Sequence, residues 1–364
     1  MPKKTKKTAK KTFKKIPTKP SLLVLLFVTL SLAFLSLFEP VQTEKLPRLE
    51  SPVELYSNKN EDDLQAYVVD AISRAKESVT LIVYGLSDHE VIAALRNQAA
   101  KGIKVQVVCD AKANPDIQTT LGKQVATVKR DGKGLMHQKI LLIDGQEVWI
   151  GSANMTSESL KLHGNLVAAM RSPELCEFIQ AKANSMGNKK KGMNFSESRY
   201  QLGEQFVEFI FLPDNKSAAD KILQMIQTAN KTIKVAMFTW TRKDFAKAII
   251  QAQRRGVKVE VILDRYAGKG AGSEITSLLQ RYGVPVALST SKGLLHYKTM
   301  IIDDKILVNG SANWTKAAFT QNDDCIMIIH GLTEGQANCL QNMWQTLQRE
   351  SAPFEEEDFL EPAA

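Results

Sequence analysis

The chain has 364 residues, 44% hydrophobic and 24% charged, an ordinary globular composition with length for two domains or one duplicated unit. The net charge of +9 resembles a polyanion-binding signal until it is located: nine lysines and no acid fall in residues 1–20. The remainder balances at 48 − 9 = 39 basic against 39 acidic residues, which removes the general electrostatic argument for wrapping nucleic acid.

Behind the basic start (1–20), residues 21–38 (SLLVLLFVTLSLAFLSLF) form an uncharged run of 18 residues. At about 1.5 Å per residue they span roughly 27 Å, enough for one bilayer crossing. We expect an uncleaved single-pass anchor. A cleavable signal and a secreted product is the competing reading, but its apolar region is usually shorter, and the clearest small-residue pattern, Ser31-Leu32-Ala33, sits inside the run. With the lysines cytoplasmic, the positive-inside rule places the folded part across the membrane, and a tether facing the cytosol is the plainer alternative.

Next come two stretches that carry the same signals in the same order, residues 52–184 and 204–350. Each opens with a helical stretch, Asp63 to Lys76 and Ala218 to Ala229. An apolar β-rich run follows, Ser78 to Tyr84 matching Thr232 to Phe238, then a second helix, then Gly102 to Asp110 matching Gly256 to Asp264. This alternation predicts α/β halves, each with helices flanking a mostly buried mixed sheet. The stretch 185–203, with Lys189, Lys190 and Lys191, reads as a linker, and 351–364 as an acidic tail. Cys109, Cys176, Cys325 and Cys339 lack zinc-site spacing, and no pairing is assigned.

In the first stretch, Gly134-Leu135-Met136-His137-Gln138-Lys139 leads to Asp144, and Gly151-Ser152-Ala153-Asn154 follows. In the second, Gly293-Leu294-Leu295-His296-Tyr297-Lys298 leads to Asp303 and then Gly310-Ser311-Ala312-Asn313. On a strand, alternate residues share a face, so each His and its Lys point together and can meet one phosphate. Asp144 and Asp303 have the opposite parity and are expected to hold local structure. Ser152, Asn154, Ser311 and Asn313 offer hydroxyl and amide donors for phosphate oxygens. A lone histidine is usually structural, as expected of His89, His163 and His330, but two in matching contexts reverse that prior. Trp149, Trp240 and Trp314 read as core or pocket wall.

This HxKxxxxD and GSxN pattern, present twice at one internal spacing, resembles the signature of the phospholipase D superfamily, its compact branch in particular, over roughly residues 52–350. The resemblance implies a pseudo-twofold pair of repeats with one shared site. It further implies a covalent phosphohistidine route needing no metal or cofactor and no obligate protein partner. His137, Lys139, His296 and Lys298 would be catalytic. Eleven residues beyond each GSxN asparagine stand Asn165 and Asp324, where the family commonly has an acid that orients the histidine. Expecting Asp324 to serve His296 and Asn165 to serve His137, we read His296 as the nucleophile. The substrate classes in view are a phospholipid, favoured by the apolar run, a nucleic acid, and a phosphatidyl group transferred as in cardiolipin synthases. A binding protein with a decayed site would show degraded motifs, and both motifs are intact.

Overall fold

The computed structural model describes residues 53–187 and 195–355. The expected anchor at 21–38, the basic start and most of the acidic tail lie outside the described residues. Among those described, no helix is long and apolar enough to cross a membrane.

Two mixed sheets organise the fold. The first contains β1 (Val53–Ser57), β2 (Ser78–Val83), β3 (Lys104–Asp110), β4 (Ala126–Arg130), β5 (Lys139–Ile143), β6 (Glu147–Gly151) and β7 (Leu166–Arg171). Their order is β1-β7-β6-β5-β2-β3-β4. The second contains β8 (Glu197–Leu202), β9 (Gln205–Leu212), β10 (Thr232–Met237), β11 (Lys258–Leu263), β12 (Val286–Ser289), β13 (Lys298–Ile302), β14 (Ile306–Gly310), β15 (Asp324–His330) and β16 (Ser351–Pro353). Its order is β16-β12-β11-β10-β13-β14-β15-β9-β8. Read from β9 to β12, the second order repeats the first, so the duplicated sequence signals have folded into duplicated topology. Within the stretch read as linker, Glu197–Leu202 forms strand β8, and Ser351–Pro353 pairs with β12 rather than belonging to a solvated tail.

Each half combines two pairing modes. β2, β3 and β4 run parallel because a helix, His89–Ala100 after β2, returns the chain to the same edge. β5, β6 and β7 are antiparallel and joined through a tight turn after β5. That turn explains the motif aspartates. Asp144 and Gly145, like Asp303 and Asp304, take left-handed backbone angles (φ 53° and 60°; 55° and 52°), which a two-residue hairpin turn demands. The Asp144 carboxylate then accepts the N–H groups of Lys76, Glu77 and Ser78, and Asp303 accepts those of Asn230, Lys231 and Thr232. Each aspartate pins the start of β2 or β10 to its hairpin, away from the histidine.

Three buried clusters stack through the fold. One lies between the first sheet and its helices and includes Val68, Leu81, Leu95 and Trp149. Another covers the second sheet with Ile226, Val235, Phe245 and Trp314. The middle cluster is shared: Ile140, Ile150 and Ala168 from the first sheet meet Phe209, Ile301 and Met327 from the second. Burial at about 25 cal/mol per Å² of apolar surface therefore holds the two halves to each other as well as each half to itself.

Candidate active site

β5 and β13 are central strands, and each is preceded by the loop that ends in its histidine. The first loop is anchored twice: the Asp110 carboxylate, at the end of β3, accepts the Met136 N–H at 3.0 Å, and the Asp323 carbonyl accepts the His137 N–H at 2.8 Å. The second has the matching bonds, Leu295 N–H to Asp264 at 3.0 Å and His296 N–H to the Gly164 carbonyl at 2.9 Å. Each loop thus borrows its second support from the other half. Glycine is required at the crossing points, since a Cβ on Gly134 or Gly293 would stand 2.0 Å from the carbonyl oxygen of Gln321 or Leu162.

The cross-connection continues into the side chains. His137 Nδ1 lies 2.8 Å from Asp324 Oδ1, and His296 Nδ1 lies 3.2 Å from Asn165 Oδ1. This corrects the sequence expectation, which paired Asp324 with His296 and Asn165 with His137. The orienting residue comes from the opposite repeat because the residues just before Asn165 and Asp324 bridge to the partner's histidine loop, Gly164 to Leu295 and Asp323 to Met136. The carboxylate therefore lies against His137 and the neutral amide against His296.

The serines lie beside the orienting residues. Ser152 Oγ donates to Asn165 Oδ1 at 2.8 Å, and Ser311 Oγ donates to Asp324 Oδ1 at 2.6 Å. Both are fully buried and bonded to the orienting residues. Asn165 Nδ2 donates to the Ser159 carbonyl at 2.7 Å, which turns Oδ1 toward His296 and makes His296 Nδ1 the donor. Asn313 Oδ1 accepts the Thr239 N–H at 3.3 Å, whereas Asn154 Oδ1 is buried with no hydrogen-bond partner among the described residues.

Lys139 and Lys298 fold back onto the carbonyls of His137 and His296 and are 2% and 3% exposed. Tyr84 and Phe238, at matching places in the two halves, lie beside His137 and His296, with ring centroids 5.4 and 5.0 Å apart, and under the two ammonium groups. Sequence reading aligned these aromatics but gave them no place in the site. It also set His163 aside as structural, yet its ring lies 6.3 Å from that of His296.

Electrostatically the cluster gathers four basic groups around one carboxylate, and burial disfavours the charged forms of all four. Burial pulls Lys139 down to about 7, and burial together with Lys139 holds Lys298 well below the ordinary lysine value. His296 is driven well below its usual value by burial and then by Lys298 and Lys139. His137 is also lowered by burial and Lys139, but Asp324 opposes the shift. Burial alone would raise Asp324; contact with His137, Ser311 and Lys139 outweighs it and keeps the carboxylate ionised. An entering anion would favour the charged forms of these groups.

This asymmetry is directly testable. Asn165→Asp places a carboxylate against His296 and stabilises its charged form, so the imidazole pKa should rise by about 1–3 units, read by NMR titration. No upward shift would mean that the side chain at 165 does not face the ring in solution.

A family model described as "Cardiolipin synthase, PLD-like domain" matches residues 68–186 and again 222–348. The chain belongs to the phospholipase D superfamily. A relative within it, the mitochondrial cardiolipin hydrolase of Xenopus laevis, is 33% identical over 117 residues, 32% of this chain and 55% of that protein, so the chain spans about half of the hydrolase's own length. Cardiolipin synthase B of Salmonella typhi is 23% identical over 323 residues, 76% of each chain. Among solved structures, phosphatidylserine synthase of Haemophilus influenzae Rd KW20 superposes with a TM-score of 0.65 over 83% of this chain and 87% of that one, at 13% identity, a likeness of fold.

Proposed function

We propose that this protein is a phospholipase D-type phosphodiesterase that cleaves a membrane phospholipid in two steps, with His137 as nucleophile and His296 as acid and then base. The observation that carries the reading is the crossed, unequal pairing of the histidines. His137 donates an Nδ1–H hydrogen bond to the Asp324 carboxylate, which stabilises the positive charge developing on the ring as Nε2 attacks phosphorus. His296 faces a neutral amide, holds a proton weakly, and is suited to surrender it.

In the first step an N–P bond forms at His137, the P–O bond to the head group breaks, and the leaving oxygen takes the proton of the His296 imidazolium. In the second, His296 removes a proton from water, the water oxygen attacks phosphorus, and the N–P bond breaks to release phosphatidate and restore His137. Lys139 and Lys298 hold the phosphoryl oxygens and balance the charge that accumulates there. Substrate anion raises the depressed pKa of both lysines and of His296, so binding itself charges the groups that the reaction needs.

Lipid as substrate is supported by the phospholipid enzymes among the similar proteins and by the apolar run 21–38, through which the catalytic unit would be held at a membrane, on its extracytoplasmic side. The similarity across three quarters of the chain to a synthase favours a second reading, in which an alcohol replaces water in step two. The test offers the full chain, in EDTA, vesicles of cardiolipin and phosphatidylglycerol with and without added glycerol, and single-stranded DNA in parallel. Phosphatidate release supports hydrolysis, a glycerol-dependent phosphatidyl product supports transfer, and cleaved DNA with intact lipid would overturn the lipid reading.

A further inference from the structure

We propose that the loops around the site mouth form a docking rim for an anionic lipid bilayer, an inference that rests on the lipid reading above. Among the described residues the large exposed apolar side chains are Leu135 (41%), Leu162 (62%), Tyr266 (49%) and Tyr282 (50%). The two tyrosines are covered by guanidinium planes, Tyr266 by Arg265 at 4.9 Å and Tyr282 by Arg254 at 5.2 Å. The two leucines stand bare, and both border the active site. Leu135 lies two residues before His137, and Leu162 three before Asn165. A third, Leu294, is partly exposed two residues before His296.

The loops that carry them are laced together. The Gly164 N–H donates to the Leu294 carbonyl at 2.8 Å, and the Asp323 N–H donates to the Leu135 carbonyl at 2.8 Å. The Leu162 and Leu294 loops are thus joined to each other beside His296, and the Leu135 loop is joined to the residues before Asp324 beside His137. Each leucine also has a lysine one or two positions before it: Lys133, Lys161 and Lys292. All three are exposed, and none has a carboxylate partner among the described residues.

Single exposed leucines need no explanation, but gathering both bare ones at the entrance to the catalytic cleft does. Lysine beside an aliphatic side chain is the chemistry of a membrane interface, where the ammonium meets anionic head groups and the hydrocarbon enters the acyl boundary. A nucleic-acid surface would pair its lysines with stacking aromatics, and here the bare apolar groups are aliphatic. Docking would present the lipid phosphate to His137 without extracting the lipid from the bilayer.

The test uses the full chain reconstituted into liposomes whose lipids are brominated near the head group, with or without phosphatidylglycerol. The natural tryptophans, Trp149, Trp240, Trp314 and Trp344, are no more than 5% exposed, so fluorescence gained by Leu162→Trp reports the rim. Strong quenching of that added signal is expected only in the anionic liposomes. The triple variant Lys133→Gln, Lys161→Gln, Lys292→Gln should weaken it roughly 100-fold in apparent affinity. Leu135→Ser with Leu162→Ser should cut lipid turnover about tenfold while hydrolysis of water-soluble bis(p-nitrophenyl) phosphate continues unchanged. Lipid turnover without rim quenching would overturn docking and leave the catalytic reading intact. Quenching without lipid turnover would sustain docking and overturn the lipid substrate. Loss of single-stranded DNA retention in the lysine variant, with no quenching by lipid, would assign the rim to nucleic acid and overturn the proposal.

Discussion

Replacing His296 with alanine should leave a protein that reacts once and stops. With bis(p-nitrophenyl) phosphate the departing nitrophenolate needs little help from an acid, so His137 can still attack and one equivalent of nitrophenolate should appear in a burst. The second step lacks its base, and the phosphoryl group should remain on His137, where mass spectrometry of the digested chain locates it. His137→Ala should give neither burst nor adduct, and steady turnover should fall by about 10⁴-fold or more in either variant. The assignment follows from which ring the buried carboxylate of Asp324 supports. An adduct on His296 in the His137→Ala protein would reverse the two roles while leaving the shared site in place.

The second large effect concerns the lysines. Lys139→Met should lower kcat by about 10²–10³-fold, the usual loss on removing a donor aimed at developing charge. The same change should raise the melting temperature by several degrees, because burying this ammonium beside Lys298 opposes folding. The sign with pH is fixed. The Lys139 pKa is about 7 when folded and about 10.4 when unfolded, so between those values the unfolded chain binds a proton that the native chain lacks. Lys139's contribution therefore makes stability rise with pH across that window, and below about pH 7 the cost is fully present. Lys139→Met should flatten that slope. Phosphate or vanadate should do the reverse chemistry, drawing protons into the site on binding, which calorimetry in buffers of different ionisation enthalpy measures. A variant that loses activity with no gain in stability would mean that the ammonium is solvated in the empty site.

Much of this was legible in the chain. The doubled motif marked the duplication. The expectation that Asp144 holds local structure fits its bonds to backbone N–H groups at the start of β2, although it sits in a left-handed turn beyond the strand and His137 lies before it, so turn position rather than strand parity separates them. The turn reading depends only on neighbours along one segment. The pairing of Asp324 with His137 depends instead on how two sheets abut, and sequence spacing within a repeat carries no information about contacts between repeats. The bonds of Ser152 and Ser311 to Asn165 and Asp324 were illegible for a related reason: a hydroxyl can face a ligand or a neighbouring side chain, and spacing does not say which. Strands β8 and β16 were missed because a polar edge strand and a three-residue strand leave almost no periodicity to read.

The inequality between Asn165 and Asp324 has a consequence for how such a site can evolve. A symmetric pair of identical chains presents every residue twice, so any change at one histidine's support is imposed on the other. Fusion into one polypeptide lifts that constraint. Each half can then accumulate its own substitutions, and a division of labour between two once-equivalent imidazoles becomes heritable.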